Sequence, residues 1–217
     1  MNENKKGKII TVTSAKGGVG KTIFLLNLAG IFSRMKQKVL IVDCDLVGGA
    51  VALDLNLNPI KNIFHISDDI FNNRYQNYTD YLTSYQDNID IVASCKDPKQ
   101  ALKIDMNYIM MFLKQVKNEY DIILVDTTHG FTKENINILD KSDIILYMMT
   151  NDIMDIKNTK SYMEVMNDIE MDHIKIILNN SRDINLNYFS KYDIRSMISR
   201  NIDYSLDRSL YIKNITS

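Results

Sequence analysis

Six consecutive residues, Gly17-Gly18-Val19-Gly20-Lys21-Thr22, restrict the fold of this chain more than any other stretch. The run before them, Lys8-Ile9-Ile10-Thr11-Val12-Thr13-Ser14, is β-branched and apolar and reads as a strand. The run after them, Ile23-Phe24-Leu25-Leu26-Asn27-Leu28-Ala29, continues a helix that opens near Gly20. A strand feeding a glycine-rich turn and a helix N-terminus is a phosphate cradle, because backbone N–H groups and the helix dipole converge on an anion. Ala15 to Thr22 fits the phosphate-loop pattern G-x-x-x-x-G-K-[ST], with Ala15 in the first glycine's place. In that pattern Gly17, Gly18, Val19, Gly20, Lys21, Thr22 and Ile23 line the nucleotide. Lys21 reaches the terminal phosphates and the Thr22 hydroxyl holds Mg²⁺.

A second lysine, Lys16, stands five residues before Lys21 and is surplus to a cradle that one lysine already serves. The form Lys-Gly-Gly-Val-Gly-Lys-Thr resembles the deviant Walker A motif of the MinD/ParA family of ATPases. The resemblance implies an ATP-dependent homodimer in which the early lysine crosses to the phosphates of the other subunit. There it would neutralise charge that develops on the transferred phosphoryl group.

At 217 residues with 45% hydrophobic content, the chain is expected to form one α/β domain over residues 1–217. A net charge of -1 gives no electrostatic support for nucleic-acid binding by the molecule as a whole. Two cysteines, Cys44 and Cys95, are too few for a disulfide framework and lack metal-ligand spacing, which fits a reducing cytoplasm. The first residues carry no apolar signal region, and the longest apolar runs fall far below the ~20 residues of a membrane span. A soluble, cytoplasmic protein with no direct membrane anchor is expected.

Apolar runs and turn residues then alternate along the chain. The expected strands are Lys8 to Thr13, Lys38 to Val42, Ile89 to Ala93, Asp121 to Asp126, Asp143 to Met149 and His173 to Leu178. Helices are expected to about Met35, over Asp105 to Asn118, Lys133 to Leu139 and Ile153 to Asn167. The first is apolar on nearly all sides, as a helix buried against a sheet should be. Ile60 to Asp87 is polar and tyrosine-rich and is assigned only short helices. The tail from Ser190 reads as a short helix, a weak strand near Asn201-Ile202 and a closing helix. The alternation predicts a doubly wound, mostly parallel sheet with helices on both faces.

Three acids follow two of these strands, at the edge where open parallel sheets bind ligands: Asp43 and Asp45 after one, Asp126 after the other. The family resemblance gives each a role. Asp126 is similar to a Walker B aspartate that holds a Mg²⁺-bound water. Asp45, 24 residues after Lys21, matches the acid that orients the attacking water, and Asp43 supports the Mg²⁺ shell. Asn179, after the last long strand, matches an asparagine whose amide reads the adenine edge; Asn180 beside it can do the same work. The chain departs from the family where Thr127-Thr128-His129, Thr150-Asn151-Asp152 and Asn201-Ile202-Asp203 replace common prolines.

Within the family, Asp45 to Leu55 most resembles the CpaE/TadZ branch of pilus-assembly localisation ATPases. That resemblance implies a Mg²⁺-ATP dimerisation switch with slow turnover, positioned or stimulated by a protein partner. The alternative is a ParA-type partition ATPase that binds DNA non-specifically as the ATP dimer. Four of the six arginines, Arg182, Arg195, Arg200 and Arg208, lie in the last 36 residues, where that family keeps its DNA face. Interleaved Asp183, Asp193, Asp203 and Asp207 weigh against it.

Overall fold

The computed structural model describes residues 7–180 and 189–207. In chain order it contains β1 (Lys8–Thr13), α1 (Lys21–Arg34), β2 (Val39–Cys44), α2 (Val51–Asp54), α3 (Ile63–Phe71), β3 (Thr83–Gln86), β4 (Ile89–Val92), α4 (Pro98–Ala101), α5 (Met106–Val116) and β5 (Ile122–Thr127). There follow α6 (Lys133–Asp140), β6 (Ile144–Thr150), α7 (Ile153–Asp168), β7 (Ile174–Asn179), α8 (Lys191–Ile198) and β8 (Tyr204–Leu206). The strands form one sheet in the order β3-β4-β2-β5-β1-β6-β7-β8. Every pairing is parallel except β3 with β4. The expected doubly wound α/β sheet is therefore present.

Strand β1 lies between β5 and β6, and its alternate residues serve two cores. Ile10 and Val12 join Leu25 and Ala29 of α1 together with Ile41, Leu124 and Met148. On the opposite face Ile9 packs with Leu40, Ile123, Phe112 and Leu113 beneath α3, α5 and α6. Further along that face, Tyr147, Met163, Leu178 and Ile194 pack beneath α7 and α8. Period-two burial on two-sided strands explains why the central strands read as unbroken apolar runs.

The expected and observed elements differ at the sheet's edges. Strand β3 was not expected, because Thr-Ser-Tyr-Gln has three exposed residues out of four and no apolar run; it forms by pairing with β4. The strand expected near Asn201-Ile202 sits at Tyr204–Leu206, paired with β7. The closing helix lies outside the described residues. Helix α1 is not covered all round, as its composition suggested. Leu25 and Ala29 are buried, whereas Ile23, Ile31 and Met35 are mostly exposed.

That asymmetry sets a stability contrast within one helix. Leu25→Ala removes a fully buried side chain and should cost about 2–5 kcal/mol, lowering the thermal midpoint by several degrees. Ile31→Ala, at 54% exposure, should stay within about 0.5 kcal/mol. Equal losses in calorimetric unfolding would contradict the packing of α1.

Candidate active site

The order β2-β5-β1 places the ends of three strands side by side, with Asp126 in register with both Asp43 and Val12. The loop after β1 turns through Gly18 and Gly20 at φ 73° and 99°, left-handed values that favour glycine. A Cβ on Gly20 would also lie 2.9 Å from the Asn179 amide nitrogen. Gly20 N-caps α1 without a side-chain cap, and the first turn holds no acid. Its backbone N–H groups are thus left to an anion.

Lys21 turns inward. It is 8% exposed, and its Nζ donates to Ser14 Oγ at 3.2 Å. Burial lowers its pKa, while Asp126 and Asp45 pull the other way. Beside it, Thr22 Oγ1 donates to Asp126 Oδ2 at 2.6 Å. Burial raises the Asp126 carboxyl to about 6, with Thr22 and Lys21 opposing. Asp43 is pushed well above the carboxylate range by burial first and then by Asp126. Its two oxygens accept the backbone N–H groups of Asp45 (3.1 Å) and Val51 (3.2 Å), so it also shapes the loop after β2. Asp45 Oδ1 accepts from Gly48 N at 3.0 Å.

The structure thus brings Lys21, Thr22, Asp43, Asp45 and Asp126 together. Lys16 is elsewhere: its Nζ lies 3.3 Å from Asp152 Oδ1, and the two side chains are 45% and 47% exposed. Asp152 N-caps α7 by accepting from Met154 and Asp155. The expected role of Asn179 at the adenine edge meets a second engagement, since its Nδ2 donates to Val19 O at 2.8 Å and ties β7 to the cradle.

Several positioning groups were not singled out from the sequence. Tyr147 Oη accepts from Ala15 N at 3.2 Å and donates to Thr159 Oγ1 at 3.1 Å, fixing the start of the cradle. A tyrosine inside an otherwise aliphatic strand was the available signal. Gly130 N donates to Ser14 O at 2.8 Å, and the buried Asn135 amide donates to Thr128 O and Gly130 O. Together they hold the loop after β5 on the cradle, with the His129 ring 3.4 Å from where a Cβ on Gly17 would sit. Nothing in the local pattern around Asn135 marks it.

A family profile described as an AAA domain matches residues 7–179. A putative septum site-determining protein MinD from Emiliania huxleyi is 26% identical over 177 residues, 81% of this chain and 64% of the relative. The chain belongs to the MinD/ParA family of P-loop ATPases. It spans less than two thirds of the length of the first curated relatives it matches. A ParA family ATPase from Chlorobium tepidum TLS superposes with TM-score 0.85 at 18% identity, covering 97% of this chain and 87% of that one. MinD of Pyrococcus horikoshii OT3, complexed with Mg-ADP, gives 0.79 at 22% identity, covering 96% and 84%. At these identities the likeness is one of fold.

The residues of this MinD/ParA chain fit a magnesium nucleotide. Asp126 and Asp45 act on one buried ammonium, Asp43 lies beside Asp126 in register, and Asp126 Oδ1 is buried without a hydrogen-bond partner. A cation beside Thr22 would satisfy both the orphaned oxygen and the excess negative charge. Among the described residues no three His, Cys, Asp or Glu side chains form a metal cage. Phosphate oxygens and water would complete the shell of nucleotide-bound Mg²⁺ there.

The raised Asp126 pKa carries a stability sign. A carboxyl raised from 3.8 to about 6 stabilises the fold below its unfolded pKa and loses that contribution as pH rises through 6. Asp126→Asn removes the buried charge, worth at most about 3 kcal/mol. The nucleotide-free variant should therefore melt higher than wild type at pH 7.5, with the gap closing towards pH 5. A lower midpoint at pH 7.5 would contradict the burial argument.

Proposed function

We propose that this chain is a Mg²⁺-dependent ATP hydrolase with slow turnover that works as an ATP-driven dimerisation switch, positioning a cellular structure. The observation that carries the reading is the opposite setting of its two loop lysines. Lys21 is turned into its own cradle, whereas Lys16 stands half-exposed and turned to Asp152, held by one solvent-screened pair. The deviant Walker A form gives Lys16 a place on the phosphates of a second copy.

Gly17, Gly18, Val19, Gly20, Lys21, Thr22 and Ile23 hold the phosphates, and Asn179 supports the base side. Thr22 would hold Mg²⁺ directly and Asp126 through water, with Asp43 behind them. The ion neutralises phosphate charge when bound. Asp45 directs the attacking water. Resemblance of the Asp45–Leu55 run to the CpaE/TadZ branch points to pilus or secretion machinery as cargo, with a division-type cargo as the other candidate, and to a protein partner that localises the chain or stimulates hydrolysis.

Complementation tests the cross-subunit role. Lys16→Ala and Asp45→Ala should each be inactive alone. In a mixed dimer the Lys16→Ala subunit keeps Asp45 and receives its partner's Lys16, so phosphate release should return. If mixed dimers form and remain inactive, the role assigned to Lys16 is wrong.

One observation favours the DNA-partition reading as the alternative. Tyr192, Arg195, Arg200 and Asn201 line one concave surface at the end of α8. Arg182 and Arg208 lie outside the described residues. On this reading DNA binding requires ATP and weakens steeply with salt, by roughly 0.9 in log–log slope per neutralised phosphate. An ATP dimer that shows no salt-sensitive binding in a low-salt titration rules the reading out.

A further inference from the structure

Asp45 sits on an irregular loop, yet hydrogen bonds restrain its N–H, its carboxylate and its carbonyl. Its N–H donates to Asp43 Oδ1 at 3.1 Å, and its carboxylate accepts from Gly48 N at 3.0 Å within its own turn. Its carbonyl oxygen accepts from Ser94 Oγ at 2.8 Å. Ser94 belongs to the loop after β4, the strand that pairs in parallel with β2 through Val42↔Val92. Continuing that register by two residues brings position 94 alongside the end of β2. Ser94 is 7% exposed, so its hydroxyl bond forms in a site poor in competing water.

The loop after β2 is also shaped to Ser94. A Cβ on Gly49 would lie 2.3 Å from Ser94 Cβ, 2.7 Å from Ser94 Oγ and 2.7 Å from Asp45 O. Only a residue without a side chain lets the backbone pass so close. Next to it Cys95 Sγ approaches Leu46 O at 3.7 Å, and Ile63 N donates to Ala93 O at 2.9 Å, anchoring the Ser94 loop to α3.

We infer that Ser94 is a positioning residue for hydrolysis: its hydroxyl fixes the Asp45 carbonyl and so sets where the Asp45 carboxylate is presented. The inference rests on the proposed role of Asp45. Of the two main-chain anchors of Asp45, the one at its N–H comes from the site's own Asp43. The one at its carbonyl comes from the neighbouring loop after β4. Losing it leaves the nucleotide cradle, Lys21 and Thr22 intact while freeing the tilt of the Asp45 turn.

The test compares wild type, Ser94→Ala, Gly49→Ala and Asp45→Ala as full chains. Ser94→Ala should lower turnover at saturating Mg-ATP by about tenfold or more, while the dissociation constant for a fluorescent ATP analogue stays within about twofold. Amide hydrogen exchange in the nucleotide-free protein should quicken over residues 45–50 and stay unchanged in α1. Gly49→Ala keeps the hydroxyl but pushes the loops apart, and should show the same split. Wild-type turnover in Ser94→Ala, unchanged exchange, or an affinity loss equal to the turnover loss each overturns the inference. If Asp45→Ala itself turns over normally, the proposed role of Asp45 fails and the inference falls with it. If only Ser94→Ala is normal, the role of Asp45 stands and that of Ser94 does not.

Discussion

Lys21 is a buried ammonium whose charge is opposed by desolvation and supported by Asp126 and Asp45. It stands at the edge of the sheet formed by β2, β5 and β1, where Asp43 and Asp126 are register partners. Much of the site's geometry follows from keeping these charges close without water. Burial pushes the Asp43 and Asp126 carboxyls up, each helped by a neighbouring carboxylate, and one Asp126 oxygen is left without a hydrogen-bond partner. A protein site that stays polar and under-satisfied in its resting state is matched to a charged ligand that completes it.

The surrounding structure serves to hold that edge still. Tyr147 fixes Ala15 from below, Asn179 fixes Val19 from β7, and Gly130 fixes Ser14 from the loop after β5. Each bond reaches the cradle's backbone from a different part of the sheet, so the loop's shape is over-determined. Left-handed glycines are tolerable there because the neighbours specify their conformation. Asp43 does the same for the loop after β2, using both oxygens on backbone N–H groups.

Lys16 contrasts with this rigidity. Its only ion-pair partner among the described residues is Asp152, itself held in place as the N-cap of α7. An ion pair with both members nearly half exposed is weak, so moving Lys16 from Asp152 to another anion costs little. On the proposed function, a fixed edge beside a loosely held cation suits a site completed by a second copy of the chain. The cation can be redirected without disturbing Lys21.

By itself the sequence determined the alternation of strands and helices, the glycine turn, and which acids end the apolar runs. These are local properties: side-chain period, turn chemistry and chain order are all written within a dozen residues. It was misleading where local pattern is weak, as at β3 and β8, which are strands only because an edge of the sheet accepts them. It also overstated the burial of α1, since composition cannot say which side of a helix meets the sheet. Tertiary structure alone decided that Asp43 and Asp126 share a row, that Lys16 faces Asp152, and that Ser94 reaches a loop distant in sequence from its own. The physical reason is that these contacts depend on the strand order β4-β2-β5-β1-β6-β7, a set of non-local pairings that no single stretch of chain contains.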